Sequence, residues 1–163
     1  MTLKVADLHL HTNFSDGTYD PKEVVRKFRR AVASVPFAAG MNNHMGSKAM
    51  EDMGLMVVLF PELKAKKMFF VDSKVTRGSV GVTVAKRYHV PFAARDVFLD
   101  NESDRAYIEG QFRELAALAE KRGSAVGICH ARPLTWQVLQ EQAMVLTQQG
   151  FEFVSIKDLL RTP

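Results

Sequence analysis

A chain of 163 residues suffices for one domain whose core needs no disulfide staple, and its 47% hydrophobic and 25% charged content is ordinary for a soluble globular protein. The net charge of +4 is spread along the chain without an aromatic-interleaved basic stripe, which argues against nucleic-acid binding. The lone cysteine, Cys129, excludes an intramolecular disulfide and a cysteine-built zinc site; Asp7, His9 and His11 interrupt any leader-like apolar run, and "GLMVVLF" is too short to cross a bilayer, so the chain reads as cytoplasmic and off the membrane.

Strand-like and helix-like runs alternate, which predicts an α/β fold with a mainly parallel sheet. "KVADLHL" is the first strand, and "DPKEVVRKFRRAVASV" follows as a helix with Asp20 as N-cap and Pro21 at its first position. "FAAGMNN" is a short second strand. "AMEDMGLMVVLFPELKAKK" reads as a helix that Pro61 should break or kink. "MFFVDS" is the third strand, "GSVGVTVAKRYH" the third helix and "PFAARDV" the fourth strand. "ESDRAYIEGQFRELAALAEKRG" is the strongest helix, with an acidic first turn, apolar residues at helical spacing and Gly123 as its stop. "SAVGICH" then gives a strand, "LTWQVLQEQAMVLTQQG" a helix, "FEFVSI" a sixth strand and "KDLLRT" a terminal helical turn. Six strand-helix units fall short of a full eight-unit barrel, which takes ~250 residues; an incomplete (β/α) barrel in one domain, residues 1–163, is the expectation.

Reactive groups in parallel α/β sheets gather at the carboxyl ends of strands. Those positions hold His9 and His11 after the first strand, Asn43 and His44 after the second, Asp72 after the third, Arg95 and Asp96 after the fourth, and His130 after the fifth. His89 precedes a strand and reads as structural. Alternation puts His9 and His11 on one strand face, about 6.6 Å apart, where two imidazoles can converge on one divalent ion. His44, His130 and a carboxylate from Asp16, Asp72 or Asp96 would complete a nitrogen and oxygen set suited to zinc, manganese or iron. Single histidines and aspartates at such places are more often satisfied polar groups or helix caps. Asp20 and Asp104 read as caps, and Asp72 is open to the same reading.

"DLHLHTNFSDGTYDPKEVV", over residues 5–28, resembles the opening motif of the polymerase and histidinol phosphatase (PHP) superfamily, metal-dependent phosphoesterases; that resemblance implies His9, His11 and Asp16 as metal ligands. From about residue 30 onward, "GMNNHMGSKAM", "FFVDSKV", "PFAARDVFLD" and "GSAVGICHARP" resemble the divergent polysaccharide deacetylases, relatives of carbohydrate esterases on an incomplete barrel. This second resemblance implies that His44, Asp72, Asp96 and His130 line a site, with His44 a metal ligand. In that family the first strand ends in paired aspartates, and two further units precede the Asn-Asn-His motif. The expectation is therefore a chimera, PHP-like over 1–30 and deacetylase-like over 31–163, joined near "RKFRRAVASV".

The function expected from these features is a metal-binding, deacetylase-like hydrolase acting on N-acetylated carbohydrate. His9, His11, Asp16 and His44 would hold a divalent ion, zinc first among candidates, with Asp72 or Asp96 as base and His130 as acid at the leaving nitrogen. A PHP-type phosphoesterase and a catalytically inactive barrel scaffold are the alternatives. Missing units would leave sheet edges open, so a homo-oligomer is expected, with domain swapping one route to it. The deacetylase-like relatives are generally exported.

Overall fold

Helix signals in the sequence become seven helices among the described residues, 20–161, of the computed structural model of the protein. The expected first strand, with His9, His11 and Asp16, lies outside that range. Two compact units are present, residues 20–94 with 160–161, and residues 95–159, each with its own apolar core.

In the first unit α1 (Pro21–Ser34) starts as expected: the Asp20 side chain accepts the Glu23 amide at 2.8 Å, and Val24 and Phe28 are buried. The strands β1 (Gly40–Asn42), β2 (Phe69–Asp72) and β3 (Phe92–Ala94) form a parallel sheet in that order. Gly40 pairs with Phe69, and a Cβ at Gly40 would lie 2.2 Å from the Phe69 ring, so this position requires glycine. The helices α2 (Ser47–Glu51), α3 (Met53–Ala65) and α4 (Gly81–Tyr88) complete the unit.

The long apolar helix expected over residues 49–67 divides at Asp52, whose carboxylate caps α3 through the Leu55 amide, and continues through Pro61. That corrects the expected break. Five buried α3 side chains, Leu55, Met56, Leu59, Phe60 and Leu63, each contribute about 1.5–3 kcal/mol. Together they exceed the roughly 3 kcal/mol that an interior proline costs. Arg29 on α1 grips Glu62 on α3 with two bonds, at 2.7 and 2.6 Å, and this pairing holds the Glu62 carboxyl below the usual carboxylate range. His89 ends α4 in the left-handed region, and its carbonyl accepts from Lys64. At the chain's end Arg161 pairs antiparallel with Phe92.

In the second unit β4 (Val97–Phe98) and β5 (Gly127–Ile128) pair in parallel; α5 (Arg105–Arg122) follows β4, α6 (Pro133–Gln148) follows β5, and α7 (Ile156–Leu159) comes after α6. Asp104 caps α5 through the Tyr107 amide, and Gly123 closes it at φ +84°. Arg105 of α5 bonds Glu141 of α6 at 2.6 Å. The run expected as one fourth strand is thus two strands, interrupted at Arg95–Asp96. The expected sixth strand, "FEFVSI", is not a strand: residues 151–155 are irregular, with Glu152 through Ser155 exposed. Its alternating pattern needs a neighbouring strand to bond with, and no described strand pairs with it.

Candidate active site

Each unit gathers polar groups at the carboxyl end of its sheet. In the first unit, parallel pairing sets the ends of β1 and β2 side by side, because Asn42 lies opposite Val71. Asn43 Oδ1 accepts the Ser73 amide at 2.8 Å, and the Ser73 hydroxyl donates to the Asn43 carbonyl. The two post-strand loops are thereby stitched together. Asp72, 3% exposed, accepts the Lys74 amide at 2.7 Å and the Ser79 hydroxyl at 2.6 Å. Ser79 Oγ in turn accepts the Gly81 amide at the start of α4. Asp72 thus organises the turn that leads from β2 into α4. His44 lies exposed on the loop after β1, beside Met45 and Gly46, both at positive φ.

In the second unit Phe98 pairs with Ile128, so residues two beyond each strand are level: Asp100 and His130. The Asp100 side chain is 0% exposed. Its two oxygens accept the His130 amide, each at 3.1 Å; Oδ1 lies 3.0 Å from His130 Nδ1, and Oδ2 accepts the Thr135 hydroxyl at 2.8 Å. Arg132 donates to the Asp100 carbonyl at 3.0 Å and lies 3.9 Å from its carboxylate. A buried carboxylate needs such partners, and here they are supplied by one short stretch, residues 130–135. Because a carboxylate accepts only, the ring proton of neutral His130 sits on Nδ1 and the lone pair on Nε2. The His130 side chain is 34% exposed, so this imidazole is anchored from within and reachable from without.

Two rings frame it. Phe98 lies 5.2 Å from the His130 ring, and the Arg95 guanidinium is 5.1 Å from the Phe98 ring centre. Next to His130 in sequence, burial and the Asp100 carboxylate push the Cys129 thiol up, leaving it protonated and a poor nucleophile.

Of the residues picked out in the sequence, His44 and Asp72 fall in the first unit, and Asp96 and His130 in the second. Asp96 lies before β4 and not after it. Its carboxylate accepts from Arg122 at 3.0 Å and from the Val126 amide at 2.9 Å, joining the starts of β4 and β5. His9, His11 and Asp16 are outside the described residues. Among those that are described, no three His, Cys, Asp or Glu side chains gather closely enough to hold a metal ion.

Asp100, Arg132 and Thr135 complete the site without being singled out by the sequence pattern. A signal for Asp100 was available: "VFLD" and "GICH" place an aspartate and a histidine at equal distances beyond two short apolar runs.

A sequence profile described as divergent polysaccharide deacetylase matches residues 15–160, a range that includes Asp16, all of α1 and the junction expected within "RKFRRAVASV". An uncharacterized protein of Haemophilus influenzae is 38% identical over 138 residues, which is 85% of this chain and 48% of that protein. The uncharacterized protein YibQ of Escherichia coli is 34% identical over 141 residues, 86% of this chain and 44% of that one. The chain therefore spans about half the length of the curated relatives it matches. In fold it is similar to the crystal structure of the uncharacterized protein ATU2773 from Agrobacterium tumefaciens C58, with a TM-score of 0.84 and 20% identity, over 87% of this chain and 58% of that one. No helix among the described residues is long and apolar enough to cross a membrane.

Proposed function

The chain belongs to the divergent polysaccharide deacetylase family, and from that premise we propose that it is a hydrolase domain removing acetyl groups from N-acetylated carbohydrate, with His130 as its proton-transfer residue. The fold that goes with this reading is an incomplete (β/α) barrel. The observation that carries it is the Asp100–His130 pair: a carboxylate at 0% exposure fixing the Nδ1 side of a partly exposed imidazole.

The pair suits amide hydrolysis. An amine leaves an acetamide only if it takes up a proton, and Nε2 of a histidine held through Nδ1 can take that proton from the attacking water and then pass it to the leaving nitrogen. Asp100 positions the ring and stabilises the imidazolium whenever the ring is charged. Thr135 and Arg132 position Asp100 in turn. Asp72 enters this reading as a residue that shapes its own turn, and Asp96 as one that joins the starts of β4 and β5. His9, His11 and Asp16 with His44 are proposed to hold a divalent ion, zinc by donor type, which supplies Lewis acidity when bound.

The test is acetate release from N-acetylated chitooligosaccharide by the native chain and by His130→Ala, with elemental analysis of protein purified without chelator. The reading expects one transition-metal equivalent, removable by EDTA, and acetate release that falls about 100-fold in His130→Ala while the fold is retained. Acetate release indifferent to His130 would overturn the assignment. No release from a well-folded, metal-free chain would favour a non-catalytic scaffold.

A further inference from the structure

The chain has a single tryptophan, Trp136, and it is 60% exposed. An indole left in water forgoes one of the largest burial gains any side chain offers, so its neighbourhood bears on what covers it. Trp136 stands on the first turn of α6, and its amide bonds the Arg132 carbonyl at 2.9 Å, closing that turn. The same turn is fastened twice to the buried Asp100, by the Arg132 guanidinium and by the Thr135 hydroxyl. Thr135 points inward to the carboxylate; one residue on, the helix has rotated by about 100°, which carries residue 136 out to the exposed side. The only indole of the chain is thus rigidly mounted on the segment that anchors the His130 site.

We propose that Trp136 is the platform on which one pyranose ring of an N-acetylated glycan stacks when that glycan occupies the His130 site; the proposal rests on the hydrolase reading and deepens it. A pyranose presents C–H groups on its faces and hydroxyls at its rim. The electron-rich face of an indole attracts those C–H groups and leaves the hydroxyls in water. A side chain with two torsions on a closed helical turn gives up little freedom on binding, which suits it to a saccharide that offers few other apolar contacts. In this role Trp136 is a positioning residue: it holds a sugar ring, and His130 handles the proton.

The experiment is a titration of the native chain and of His130→Ala with tetra-N-acetylchitotetraose, followed in parallel by tryptophan fluorescence and calorimetry. Trp136→Ala and Trp136→Phe are followed by calorimetry and acetate release. With one tryptophan in the chain, any fluorescence change reports this position. A saturable change is expected in the native chain and in His130→Ala, with the calorimetric midpoint. Trp136→Ala should weaken binding about tenfold, and Trp136→Phe should keep most of it. In turnover the loss should appear in KM, with kcat held. Calorimetric binding without a fluorescence change, or equal affinity in Trp136→Ala, would overturn the platform while leaving the hydrolase reading intact. Absence of binding by both readouts would overturn it too, and His130-dependent acetate release would then decide the hydrolase reading separately. Light scattering in which Trp136→Ala converts a dimer to a monomer would also overturn it, by assigning the indole to a contact between copies.

Discussion

Both units bury an aspartate near the end of a parallel strand, yet the two carboxylates are partnered differently. Asp72 is bonded by groups two and seven residues away, the Lys74 amide and the Ser79 hydroxyl. Asp100 is bonded by groups 30 and 35 residues away, on the segment after β5 and on α6. A locally satisfied carboxylate shapes a turn. One satisfied from a distant segment fixes the geometry between two elements, and here one of the groups so fixed is an imidazole. The difference teaches that burial and position at a strand end do not by themselves mark a carboxylate that orients an imidazole; what it holds does.

Substitutions can break or sharpen that contrast. The largest effect is expected at Asp100→Ala, which leaves the His130 amide and the Thr135 hydroxyl without their acceptor, while Arg132 keeps the main-chain carbonyl. It should cost about 3 kcal/mol in chemical denaturation and abolish acetate release. His130→Ala should separate the two roles, lowering acetate release about 100-fold while denaturation shifts by only about 1 kcal/mol. Ser79→Ala, which removes one local partner of Asp72, should cost about 1 kcal/mol, and acetate release should stay near the native rate.

The smallest effect concerns acid stability in the first unit. The Arg29 pairing depresses the Glu62 carboxyl, so its contribution is present above the unfolded-state value of roughly 4.3 and is lost as pH falls through the lower folded value. Arg29→Ala should therefore flatten the decline in stability across that acid window, read from melts at stepped pH. An unchanged decline would assign it to other carboxylates.

Much of this contrast was legible in the sequence on one side only. Local signals were readable because their physics is local: Asp20 and Asp104 cap α1 and α5, and Gly123 ends α5 in the left-handed region. Asp72, at the end of "FFVD", stands out as a strand-end residue, and both of its partners, Lys74 and Ser79, lie within the next seven residues. Asp100 did not stand out, because "PFAARDV" reads as one strand ending near Asp96. With the chain interrupted at Arg95–Asp96, the carboxyl end moves to Phe98 and the rim residue becomes Asp100. Its partners are brought to it by β4–β5 pairing, which sequence spacing does not encode. Pro61 and the 151–155 segment failed in opposite directions. Burial overrode a breaker in α3, and alternation without a bonding partner made no strand.

The most direct test is a side-by-side measurement of acetate release from N-acetylated chitooligosaccharide by Asp100→Asn, Ser79→Ala and the native chain, each with its fold verified by circular dichroism. Asn keeps the size of Asp100 but not the carboxylate that fixes the His130 ring. The account predicts a loss of about 100-fold or more in Asp100→Asn and a near-native rate in Ser79→Ala. Native turnover in a folded Asp100→Asn, or a collapse confined to Ser79→Ala, would contradict it and move the chemistry away from the Asp100–His130 pair.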